Sequence, residues 1–311
     1  MLNKALIVAA AASAVAAQRP EGTSICDYYT TALLKENNAT NQNTLLTLVV
    51  NTAVIGNYTQ PNVGIAVPGI LNPNGTYMGT PVNLVPYFDG SLASTNAGGS
   101  AKSVNFLDDG GAAPLMMNKP ANGTDSAQYM LLTHLYSYFG GLLGCTMVGN
   151  DGFPAYAGDA SQYKVHKFMA LDANEVGYFI QQVGLSAASF GVTEDDVAAV
   201  GKALNDTFGY RCAPAAGVIP KDQVELQSIC TAEDCPLSPN ATCDAYDSVM
   251  APMSTSPASM ATDMPSMSSS MGMPSSTESG APAASYTGAA NSLNVIGSFV
   301  AAAGAAAAFA L

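Results

Sequence analysis

Apolar residues recur with a helical period in several stretches of this chain. Leu45, Leu48, Val49 and Thr52 share one face of a helix predicted over Asn43–Ile55, with Asn43 or Thr44 as its cap, and a shorter element, Ser24–Leu34, leads into it. A second long helix, Asp125–Leu143, starts at Asp125 or Ser126 and is apolar on most sides, as a buried helix is. A short helix, Ser161–Met169, follows a loop with Pro154 and Tyr156. Asp172 and Glu175 have capping-box spacing and open a helix with the stripe Val176, Phe179, Ile180, Val183 and Ala187. Thr193 and Asp196 open a last helix with Val197, Val200, Leu204 and Phe208 on one side. Between the first two long helices, Gly56–Asn122 is dense in Gly, Pro and Asn and shows no strong alternation. It reads as a partly ordered surface insertion, with only short β-like pieces such as Val63–Val67.

The ends of the chain change the picture. Met1–Ala17 has a lysine, a short apolar run and small residues before a cleavage point, the pattern of a secretory signal. Val295–Leu311 is a terminal apolar tail preceded by small residues, the pattern of a GPI-anchor signal that is exchanged for lipid. Before it runs a stalk of Ser, Thr, Pro, Ala, Gly and Met, too poor in large apolar residues to fold, and suited to O-glycosylation. Its methionines also raise Cu(I) binding by thioethers, although no Cys or His accompanies them. The expected organisation is a signal peptide (1–17), a helical domain (18–215, with 56–122 as its insertion), a Cys-rich extension (216–248), the stalk (249–287) and the anchor signal (288–311).

Composition agrees with life outside the cell. A net charge of -13 disfavours nucleic acid and anionic membrane surfaces as partners. Glycosylation sequons occur at Asn38, Asn57, Asn74, Asn122, Asn205 and Asn240. The six cysteines, Cys26, Cys145, Cys212, Cys230, Cys235 and Cys243, read as a disulfide set whose pairing the spacing leaves open. No Cys-x-x-Cys pair and no neighbouring histidine makes a zinc site. There is no Gly-x-Ser-x-Gly elbow and no His-Glu-x-x-His, so the chain reads more as a binding protein than as an enzyme.

Only two histidines occur, His134 and His166. The order Gly140-Gly141, Pro154, Tyr156 with Gly158, His166, then two long helices from Asp172 and Thr193 resembles a truncated globin, as does Gly191-Val192 before the last helix and the aromatic pair ending Leu84–Phe88. The match is best over Gln128–Phe208. It departs from the family in the spacer Leu142–Phe153, in the long insertion, and in Thr52 and Ala53 where a distal tyrosine is common. The resemblance implies an all-α, globin-like core that binds haem, with His166 as the iron ligand and a diatomic molecule such as O2 as the bound partner. His134, mid-helix, and Tyr136 or Tyr129 are candidates for the other wall of that pocket, although tyrosines such as Tyr129, Tyr136 and Tyr138 are more often core or rim aromatics. Lys164 and Lys167 either pair with propionates or form a solvated face. The alternative is a haem-free structural or adhesive glycoprotein. In both cases the protein is expected at the cell surface, held to membrane or wall through a lipid anchor.

Overall fold

The computed structural model describes residues 19–59 and 63–254. The expected signal, the expected anchor signal and the stalk beyond Ser254 lie outside them. The described residues form eight helices and three small antiparallel sheets.

Helix α1 (Ile25–Leu34) is capped by Ser24, and α2 (Ala39–Ile55) by Asn38, whose Oδ1 accepts from the Asn41 amide. Helix α2 is the centre of the body: α1, α5 (Ala127–Leu142), α7 (Ala173–Ser189) and the short α4 (Ala112–Met116) all pack against it. This is why it buries residues around most of its circumference, including Gln42, Leu46, Val50, Asn51 and Val54, and not one stripe alone. Ser126 caps α5, Ser161 caps α6 (Gln162–His166), and Thr193 caps α8 (Glu194–Phe208). Asp172 and Glu175 form a complete capping box at α7. The stripe Val197, Val200, Leu204, Phe208 is buried, as its spacing requires.

The all-α, globin-like fold class does not hold. About 39% of the described residues are helical and 13% lie in strands or bridges, so the body is mixed. The strands come mainly from the stretch expected to be irregular. Gly75–Tyr77 (β1) pairs with Thr80–Val82 (β2), and Asp89–Ala97 (β3) pairs with Ser100–Asn105 (β4), with a four-residue helix α3 (Val85–Phe88) between the hairpins. Two register shifts in β3 place the adjacent Ala93 and Ser94 both inward, which erases the period-two signature of a strand. Val63–Val67, by contrast, is not a strand: Val63 donates to Ser189 O and Val67 to the Asn57 side chain. Nor is the segment 56–122 peripheral, since Val67, Ile70, Val82, Leu84, Tyr87 and Leu115 all enter the buried interior.

After α8 the chain makes a small hairpin, β5 (Ala216–Gly217) with β6 (Val224–Glu225), and returns through Ile229 and Cys230, whose amides donate to Phe208 O. The six cysteines pair as Cys26–Cys145, Cys212–Cys243 and Cys230–Cys235, leaving none free. Disulfides persist in oxidising compartments, and three of them mark a secreted or extracellular protein. No helix among the described residues is long and apolar enough to cross a membrane. Asn74, Asn122, Asn205 and Asn240 are exposed, while Asn38 and Asn57 are half-buried.

Candidate functional site

The two histidines sit on α5 and α6, and the residues between them decide what they can do. Helix α5 presents three faces. Leu135 and Phe139 face an apolar cavity; Tyr136, two residues from His134, turns the other way and donates from its buried hydroxyl to Asn51 Oδ1 on α2 at 2.6 Å. His134 and Tyr138 are one turn apart and meet the ring of Tyr156 edge-on, at centroid distances of 5.7 and 5.2 Å. So Tyr136 and His134 do not line a common pocket. A 100° step per residue puts neighbours two apart on nearly opposite faces, and this was readable from the spacing.

His166 is tied to the same cluster through its own helix. Its Nδ1 lies 2.8 Å from Gln162 O. A carbonyl only accepts, so Nδ1 carries the proton and Nε2 is left as the basic nitrogen. The Gln162 amide donates to Tyr156 Oη at 3.1 Å, and Tyr156 in turn donates to Asp159 O. Burial lowers the pKa of His166, opposed in part by the bond to Gln162 O, and burial lowers that of His134 as well. Both imidazoles are therefore neutral at pH 7. The flanking lysines are engaged: Lys164 pairs with Asp159 and Lys167 with Asp247, each at 2.6 Å.

Three residues thus join the histidines: Tyr138, Tyr156, which the sequence marks only as part of the turn before His166, and Gln162, which nothing in the sequence singles out. The i to i+4 spacing of His134 and Tyr138 was the available signal for the first. Tyr138 also packs on Phe208, and its buried hydroxyl has no hydrogen-bond partner among the described residues. The Gly140-Gly141 pair does not end α5. A Cβ on Gly140 would stand 2.5 Å from the Phe153 ring, and one on Gly141 would stand 2.7 Å from Ile219, so these glycines let two side chains press on the helix.

A haem needs both a ligand and room. His166 meets the first requirement, with a neutral ring and a free Nε2. On the second, a pocket of about 500 Å³ is lined by Arg19, Thr193, Glu194, Asp195 and Asp196, with no histidine among them. The cavity between α1, α2, α5, α7 and α8 has a volume of about 50 Å³, its wall is apolar, and neither histidine lines it. Pockets for ligands of cofactor size run to roughly 300–1,000 Å³. The side of α5 that carries His134 is packed with Tyr138, Tyr156 and Phe208. Among the described residues no group of three or more His, Cys, Asp or Glu side chains could hold a metal ion. Comparison with protein-family models, with curated proteins and with solved structures gives no match to this chain.

Proposed function

We propose that this chain is a haem-free structural or adhesive glycoprotein of the cell surface, whose disulfide-bonded α/β body is displayed on the Ser/Thr/Pro/Met-rich stalk and tethered by a lipid anchor. One observation supports it above the others: the two histidines are bound into an aromatic and hydrogen-bonded cluster, apart from the small apolar cavity. The three disulfides and the exposed sequons fit the same setting. The net charge of -13 favours neutral glycans or cationic surfaces as contacts over nucleic acid. The test is spectroscopic. Full-length protein purified from its secretory host, then titrated with hemin, should develop no Soret band beyond that of free hemin. A phosphatidylinositol-specific phospholipase should release it from cells.

A second reading has one observation behind it. The Nδ1–Gln162 O bond orients His166 and leaves Nε2 basic, as an axial ligand of haem iron requires. That reading demands a saturable Soret band on the wild type, lost in His166→Ala and kept in His134→Ala. Such a result would replace the first reading.

A further inference from the structure

The last described residues do not leave the body directly. Cys243 is bonded to Cys212, and from there the chain runs back across α6 and β3. The Tyr246 ring lies on Tyr163 of α6 at a centroid distance of 4.5 Å, and its hydroxyl donates to Ala213 O. The Asp247 amide donates to Tyr163 Oη, and its carboxylate pairs with Lys167 at the end of α6. At the far end, Met253 O accepts from the Ala93 amide, and Ser254 bridges Leu92 in antiparallel sense, so the segment adds a short third strand to β3. These contacts are few, local and mostly at the surface. They contrast with the covalent bond at Cys243 and with the interior that holds α6 to the body.

We infer that residues 244–254 are a mechanical latch: a strap that tension on the stalk peels from β3 and α6, and that stops at the Cys212–Cys243 disulfide with the body still folded. The order follows from the geometry. Load entering at residue 254 meets the pairing with Leu92 and Ala93 first, then the Asp247 contacts, then the edge-on Tyr163–Tyr246 contact with the Tyr246 hydroxyl bonds to Ala213 and Ser228, and only then a covalent stop. Release bares the β3 edge at Leu92–Ala93 and frees Tyr163 and Lys167 on the helix that carries His166. The inference rests on surface display only for the source of the force.

The test pulls the purified full chain between handles on its N-terminal end and on the stalk, so it stands or falls independently of how the protein is anchored. Under oxidising conditions the first event should lengthen the chain by at most about 40 Å, the extended span of residues 244–254. In reductant the same event should continue by up to about 110 Å, because the stop between positions 212 and 243, 31 residues apart, is gone. Tyr163→Phe and Lys167→Ala should lower the force of that first event and leave the later unfolding of the body unchanged. Without force, Tyr163→Phe should speed amide exchange at Asp247 about five-fold, the equivalent of one hydrogen bond, and leave exchange at Cys230 as in wild type. A first event that already unfolds the body, with lengthening far beyond 40 Å in oxidised protein, overturns the latch. So does a first event or an Asp247 exchange rate that neither variant changes.

Discussion

The three disulfides close loops of very different length, and this allows the origin of their stabilisation to be measured inside one protein. Cys26–Cys145 spans 119 residues, Cys212–Cys243 spans 31 and Cys230–Cys235 spans 5. If a disulfide acts by restricting the unfolded chain, these separations correspond to about 4.9, 3.7 and 2.1 kcal/mol. The first and third bridges make the cleaner comparison, because all four cysteines are buried, at 1% and 8% exposure against 0% and 3%. Replacing each pair by alanine removes similar buried sulfur, so packing losses nearly cancel. The difference, about 3 kcal/mol, isolates loop closure. For a body of this size that is a gap of roughly 6–12 °C in Tm. The assay is urea unfolding at pH 7 of the two double-alanine variants, followed by circular dichroism and tyrosine fluorescence, since the chain has no tryptophan. Equal losses from the two pairs, or a larger loss from Cys230–Cys235, would refute the reasoning and point to local native-state contacts as the source of the effect.

Three further outcomes follow from the same geometry. Burial holds the pKa of His134 and His166 below the ordinary 6.5, so the stability they contribute is complete above that value and is lost as pH falls below it. The urea midpoint should drop between pH 7 and 5 and flatten in a His134→Gln, His166→Gln double variant; an unchanged slope would count against this, since Glu175, whose pKa burial raises above 4.5, acts with the opposite sign. Leu204→Ala, at a fully buried site, should cost about 2–5 kcal/mol in chemical denaturation, whereas Met130→Ala on the exposed side of α5 should stay within about 0.5 kcal/mol. Gly69→Ala should destabilise by more than about 2 kcal/mol, because Gly69 has φ +89° and a Cβ there would stand 2.4 Å from the Gly56 amide nitrogen; a near-neutral Tm would show that this loop shifts freely.

What could be read from the sequence was local. Caps at Ser126, Thr193 and the Asp172–Glu175 box involve residues three apart, and the stripe from Val197 to Phe208 needs only the period of one helix. What escaped was set by distant partners. The β3–β4 hairpin is built of Ser, Ala, Thr and Asn around Gly98-Gly99, and its bulges shift which residues turn inward, so alternation could not reveal it. The full burial of Gln42, Gln128 and Gln182 was equally hidden, because each is satisfied from elsewhere in the chain: Gln42 by Asp27 and Met147, Gln128 by Gly111 and Pro120, Gln182 by Gly69. Of the candidate site, the short helix that carries His166 was legible. The side chains surrounding it were not, because Tyr138, Tyr156 and Gln162 come together only once α5, the following loop and α6 are folded.

Asn38 does two jobs with the two ends of one amide. Its oxygen caps α2, while its nitrogen, the atom that a glycan would occupy, points to Glu36 at the surface. A sugar and the helix cap are therefore compatible on the same side chain, and the usual way of erasing a glycan is misleading here. Asn38→Gln would remove the sugar and also disturb the start of the central helix, so poor secretion of that variant would be wrongly credited to the missing carbohydrate. Thr40→Ala disables the same sequon at an exposed position and leaves the cap in place. Only the difference between those two variants reports what a glycan at this position does for the protein's secretion.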